Sequence, residues 1–111
     1  MSLSITVTNN VSSQTGAVES VVLVDGEVDV SNADQLRTVL DGRVEEDAPT
    51  ELVVDLSKVP YIDSTGIGVL VGAAHRAAEK NVRFEVANPQ RNVERVLGLL
   101  GVSNDLNVRG A

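Results

Sequence analysis

The sequence predicts an α/β domain, a mixed sheet of four or five strands with helices packed mainly on one face. Three observations lead there. Short β-branched runs alternate with stretches of helical spacing, two strand-like runs come before the first helix, and no repeat, linker or low-complexity segment interrupts the 111 residues. A chain of this length is one domain that buries roughly two thirds of its unfolded surface. Residues 1–111 are therefore read as a single unit, with 1–4 as a flexible N-terminus and 107–111 as a short C-terminal tail.

The elements follow in order. Ile5-Thr6-Val7-Thr8 alternates apolar and polar residues as a half-exposed strand does, and Asn9 to Gly16 then reads as a polar turn or long hairpin loop. Val21-Val22-Leu23-Val24 suits a strand covered on both faces, continuing past a bulge at Gly26 into Glu27-Val28-Asp29-Val30. Ser31 and Asp34 have the spacing of a capping box, and Ala33, Leu36, Leu40 and Val44 recur at helical spacing to about Glu46, with Asp47-Ala48-Pro49 as the stop. Leu52-Val53-Val54-Asp55-Leu56 is a second buried strand. After Pro60, a helix presents Ile67, Leu70, Val71, Ala74 and Ala78 on one face and closes near Glu79-Lys80-Asn81. Val82, Phe84 and Val86 form the next strand. Asn88-Pro89 supplies a cap and a proline at the first helical position of a third helix, whose apolar face is Val93, Val96, Leu97 and Leu100 and whose stop is Gly101. Leu106-Asn107-Val108 adds a last short strand.

Composition removes several function classes. Only Tyr61 and Phe84 are aromatic, so base stacking has little to work with. Nine basic against sixteen acidic side chains give a net charge of -7 and argue against nucleic acid or an anionic membrane surface, which leaves protein partners. The absence of cysteine excludes disulfides and thiolate chemistry and is compatible with a reducing cytoplasm. No basic leader followed by an apolar stretch and no apolar run of about 20 residues is present, so a signal peptide and a membrane span are not expected.

The run Asp63-Ser64-Thr65-Gly66-Ile67-Gly68-Val69-Leu70-Val71-Gly72 carries most of the information. Its glycines do not fit a dinucleotide-binding turn, because the third comes one residue late, and no phosphate-cradling Gly-Lys-Ser/Thr occurs. Gly68, Gly72 and Arg76 instead share a helix face, where glycines cost about 1 kcal/mol each in propensity. Either another backbone approaches that stripe or it packs on the protein's own sheet. Asp63, Ser64 and Thr65 are natural N-cap residues. A phosphate on Ser64 would also be tolerated, since its charge of about -1.5 to -2 would face the positive end of the helix.

Enzyme chemistry finds no support. His75 is the lone histidine, no metal pair exists, and Asp25, Glu27, Asp29, Asp55 and Asp63 follow strands without a nucleophile and base to join them. No cofactor, metal or catalytic residue is expected. The acids Glu45-Glu46-Asp47 at a helix end oppose its dipole and have no evident structural reason.

From about Val21 to Leu106 the chain resembles the bacterial anti-sigma factor antagonists of the STAS (sulfate transporter and anti-sigma antagonist) superfamily. Asp63-Ser64-Thr65-Gly66-Ile67-Gly68-Val69-Leu70 is similar to that family's Asp-Ser-Ser/Thr-Gly-Leu-Gly-Val signature, and Gly26-Glu27-Val28-Asp29 to its Gly-Glu-Leu/Ile-Asp element. The resemblance implies a cytoplasmic, non-enzymatic partner switch. The unphosphorylated antagonist binds an anti-sigma factor that is also a serine kinase, releasing the sigma factor; the kinase then phosphorylates the serine after the motif aspartate, and a PPM-type phosphatase removes the group. Carried over, Ser64 is the acceptor, with Thr65 second. The partner surface comprises Asp29, Asp63, Ser64, Thr65, Gly66, Gly68, Val69 and Gly72. Family members commonly continue into a further C-terminal helix, so the stop soon after Val108 leaves room for a homodimer. The rival reading is a STAS-type regulatory or scaffold subunit of a transport or stress-signalling complex, with Ser64 only a cap.

Overall fold

The computed structural model describes residues 2–47 and 49–109, without the side chain of Asp47. Five strands lie in sequence order across one sheet: β1 (Ser4–Val11), β2 (Val18–Asp25), β3 (Glu51–Lys58), β4 (Arg83–Ala87) and β5 (Val108–Arg109). β1 pairs antiparallel with β2 and every later pair is parallel, so the sheet is mixed as the order of elements predicts. Three helices, α1 (Ala33–Gly42), α2 (Ser64–Glu79) and α3 (Arg91–Leu99), make the crossovers. One face of the sheet supplies Val22, Val24, Leu52, Val54, Leu56, Phe84 and Val86 to the core, which continues into Leu36, Leu40, Leu70, Ala73, Val93 and Leu97 of the helices. No helix among the described residues is long and apolar enough to cross a membrane.

Several local expectations are corrected. Asn9, Asn10 and Val11 belong to β1, so the hairpin loop is shorter than the Asn9 to Gly16 segment. Eight residues of unbroken pairing to β2 outweigh the poor strand propensity of asparagine. β2 is covered on one face only: Ser20, Val22 and Val24 are buried while Val21 and Leu23 are half-covered, because the helices occupy a single side. It ends at Asp25, since Gly26 turns the chain at a φ of 124° that L side chains rarely adopt, and only Val28 returns, as a lone bridge to Ile62. The Ser31–Asp34 capping box does not form. Asn32 is the N-cap and makes no side-chain cap bond, the Ser31 hydroxyl donates to Asp29, and Asp34 pairs with Arg37.

α1 ends at Gly42 and widens into a π-helical turn over Arg43–Asp47; Ala48, in the expected stop, lies outside the described residues. Of the acids there, Glu45 has a partner, lying 3.6 Å from Lys80, and one turn earlier Asp41 lies 2.5 Å from Arg76, so that the end of α1 is tied to the last turns of α2. The expected face of α2 holds at Ile67, Leu70 and Ala74 but is wider than its spacing implied. Val69, Ala73 and Ala77 are buried and Ala78 is exposed, because this helix packs on α1 as well as on the sheet and needs a wider apolar stripe. α3 begins at Arg91 rather than at Pro89, as Asn88 adopts a left-handed φ of 56° and gives its side chain to Asp55. Val96 and Leu100, expected on its buried face, are exposed. The last strand is displaced to Val108–Arg109, with Leu106 buried beneath it. Of the expected terminal segments, residues 1, 110 and 111 lie outside the described residues, while the Leu3 amide donates to Gln35.

The uncovered sheet face carries Glu19, Glu51 and Glu85 on neighbouring strands, with Arg83 3.9 Å from Glu51 and Arg109 2.9 Å from Glu85. Burial first, and then the adjacent Glu19 carboxyl, pushes the Glu51 carboxyl above its usual range. A raised folded-state value means that the ionised form opposes folding, so stability at this group is gained as pH falls. Glu51→Gln is therefore expected to unfold at a higher temperature than the parent at pH 7. Thermal scans should show that advantage vanishing below about pH 4, where both side chains are neutral.

Candidate functional site

Parallel strands running the same way gather the loops after β2 and β3, and the start of α2, at one end of the sheet, where α/β domains form their sites. Three backbone bonds lace the two loops together: Gly26 N–H to the Lys58 carbonyl (3.0 Å), Val28 N–H to Tyr61 (2.9 Å) and Asp63 N–H to Val28 (3.0 Å). From the far side, Asn92 donates to the Pro60 carbonyl at 2.8 Å and Gln90 to that of Ser57 at 3.1 Å, so the start of α3 also holds the β3–α2 loop.

Asp63 is the N-cap of α2. One carboxylate oxygen accepts the Gly66 N–H at 3.0 Å, and the other accepts the Val30 N–H at 3.1 Å. The same side chain thus caps the helix and latches it to the β2–α1 loop. Capping falls to Asp63, and Ser64 becomes the first helical residue, exposed and with no hydrogen bond from its side chain among the described residues. Thr65 is exposed beside it.

Asp29 orders the neighbouring loop. Its carboxylate accepts the Ser31 hydroxyl at 2.5 Å and the Ser31 amide at 2.9 Å, bonds that hold the carboxyl below its usual range. Its amide donates to Asn32, whose own side-chain amide reaches the Glu27 carbonyl at 2.8 Å. Asn32 is 3% exposed and fixes the whole turn.

The glycines of the motif divide by role. Gly66 is buried, and a Cβ there would lie 2.6 Å from Val28 and 2.7 Å from Ile62, so its smallness lets α2 close on the loops beneath. Gly68 is exposed with nothing within 4 Å of that position. At Gly72 the space is taken by the Arg76 guanidinium, 3.3 Å away, on its way to Asp41. The supposed stripe therefore opens to solvent at Gly68. Val69 is 3% exposed and faces the core.

Val30, expected at the end of a strand, and Tyr61 lie instead on loops at this end of the sheet. Both are exposed, by 76% and 51%, on the two loops that the Asp63 latch joins. The signal for Val30 was an apolar residue within the polar run Asp29-Val30-Ser31-Asn32. The roles of Asn32 and Asn92 had no such signal, since each acts on backbone carbonyls distant in sequence or hidden by the turn.

The chain is similar to several known proteins. RsfB, an anti-sigma-F factor antagonist of Mycobacterium tuberculosis, is 31% identical over 83 residues, which cover 75% of this chain and 66% of that protein, just under two thirds of its length. An anti-sigma-B factor antagonist of Staphylococcus aureus is 28% identical over 87 residues, covering 78% of this chain and 80% of its own. The crystal structure of an anti-sigma factor antagonist from Mycobacterium paratuberculosis matches with a TM-score of 0.77 at 28% identity, covering 97% of this chain and 87% of that one. The STAS domain family matches residues 6–110, nearly the whole length, and this chain belongs to that family.

Proposed function

We propose that this chain is an anti-sigma factor antagonist that binds an anti-sigma factor with serine kinase activity, frees the sigma factor, and is switched off by phosphorylation of Ser64. The observation that carries the reading is the division of labour at the start of α2. Asp63 takes both structural bonds, so the Ser64 hydroxyl is left exposed and unengaged at the positive end of a sixteen-residue helix. A phosphate there meets free backbone amides and disturbs no contact of the fold. The names of the relatives agree with the antagonist role.

Val30 and Tyr61 are the apolar anchors of the docking surface in this reading, with Asp29 at its border. Gly68 gives the partner's backbone close access, whereas Gly66, Val69 and Gly72 shape the surface from within or from its side. A PPM-type phosphatase resets the switch, and the process is cytoplasmic. The chain takes part as substrate and ligand, not as an enzyme.

Incubation with the cognate anti-sigma kinase and ATP should add one phosphoryl group, located at Ser64 by peptide mass spectrometry, and Ser64→Ala should abolish it. Modification at Thr65 instead would move the acceptor. No modification, with binding to the kinase also absent, would favour a regulatory or scaffold subunit.

A further inference from the structure

α3 is seated on the fold by Val93 and Leu97, its two buried residues, and the rest of the helix is exposed. Val96, Leu99 and Leu100 are open by 38%, 79% and 55%, so three of the seven large apolar side chains exposed among the described residues fall on this helix and its C-cap. At roughly 100° per residue, Arg91, Arg95, Leu99, Val96 and Leu100 follow one another around half the circumference of α3. Glu94, the one acid of the helix, lies on the other flank, beyond Arg91.

The two arginines differ from most of the cations in this chain. Of nine basic side chains, Arg37, Arg43, Arg76, Lys80, Arg83 and Arg109 are engaged within the fold. The side chains of Lys58, Arg91 and Arg95 make no hydrogen bond or ion pair among the described residues, and all three are exposed. These three also lie in one region: Gln90, beside Arg91, donates to the carbonyl of Ser57, beside Lys58, at 3.1 Å. A protein of net charge -7 thus keeps its uncommitted positive charge at the start of α3, next to open apolar side chains at its end.

We propose that this half of α3 docks an acidic amphipathic helix of a partner protein. Charge complementarity selects the occupant: the free cations call for carboxylates, and Leu99, Val96 and Leu100 call for apolar side chains on the same short segment. Exposed ion pairs contribute little each, so the apolar contact supplies affinity and the arginines supply selectivity. A nucleic acid or an anionic membrane spreads its charge far beyond a helix about 14 Å long and would meet the surplus acids of the rest of the chain. A second copy would bring a further net charge of -7. Ser64 begins α2, a different helix, so the inference does not depend on the switch described above.

The test titrates the isotope-labelled full chain with a synthetic helical peptide carrying glutamate and leucine on one face, and with the same peptide carrying lysine in place of glutamate. The acidic peptide should shift the amide resonances of Arg91 to Leu100, and the lysine peptide should leave them in place. Arg91→Glu combined with Arg95→Glu should weaken the acidic peptide at least about tenfold, and Leu99→Ser should weaken it several-fold. Circular dichroism of both variants should match the parent, because the altered side chains are exposed. Unaltered affinity in the double variant, shifts centred on another surface, or no shift at about 1 mM peptide would overturn the proposal. Tighter binding of phosphatidylglycerol vesicles through the same arginines would assign the face to lipid, and a dimer that the double variant abolishes would assign it to a second copy; either would overturn it as well.

Discussion

Gly66→Ala is expected to destabilise the fold by about 2 kcal/mol, and Gly68→Ala, two residues away in the same motif, to stabilise it by up to about 1 kcal/mol. At Gly66 the added methyl would lie 2.6 Å from Val28 and 2.7 Å from Ile62, both buried and joined by the bridge that closes the two loops. Neither can yield without moving backbone, and an overpacked core typically loses about 1–3 kcal/mol, more than the roughly 1 kcal/mol that alanine returns in helix propensity. At Gly68 there is nothing to meet, so only the propensity gain remains. Urea unfolding of the two variants should show shifts of opposite sign. A Gly66→Ala chain as stable as the parent would show that the loops do not lock on α2 as described. Gly68→Ala carries a second reading: loss of kinase affinity in a variant that has become more stable would identify Gly68 as the point of close approach.

Ser64→Asp is expected to weaken binding to the anti-sigma kinase about a hundredfold, a change of ~2.8 kcal/mol, while thermal unfolding scarcely moves. The two effects separate because the residue is exposed and sits at the first position of α2. An acid there is favoured by the helix dipole and by the unpaired amides of the first turn, so the folded chain loses nothing. A docked partner, however, must strip water from a second carboxylate beside Asp63. Calorimetric titration and thermal scans on one preparation check both halves. Undiminished affinity would remove the electrostatic basis of the switch, and a large loss of stability would mean that Ser64 had a structural role after all.

The architecture was legible because it rests on period and order. Alternation of β-branched runs with helical spacing, and two strands before the first helix, required a mixed sheet, and the single open face follows from short crossovers placed on one side. Local starts and stops were less legible. Ser31-Asn32-Ala33-Asp34 satisfies a capping box on paper, but Asp29 claims the Ser31 hydroxyl and Asn32 turns back to Glu27. Asn88-Pro89 looked like a helix start until Asp55, more than thirty residues earlier, captured the Asn88 side chain. Such competition between a local cap and a distant acceptor leaves no trace in spacing.

At the candidate site, the position of Asp63 and Ser64 at a helix start was readable and their division of roles was not. Both residues are good caps, and only the latch from Asp63 to the Val30 amide decides which of them is engaged. The glycine stripe misled for a related reason: spacing put Gly68 and Gly72 on one face, but the reach of Arg76 to Asp41 fills the second. Exposure of Val30 and Tyr61 depends on how two loops meet across the end of the sheet.

The most direct measurement is a titration of the anti-sigma kinase with this chain before and after stoichiometric phosphorylation by that kinase. The account predicts specific binding of the unmodified chain, at least about a hundredfold weaker binding once Ser64 carries the phosphate, and recovery after treatment with a PPM-type phosphatase. Equal affinity of the two forms would contradict it.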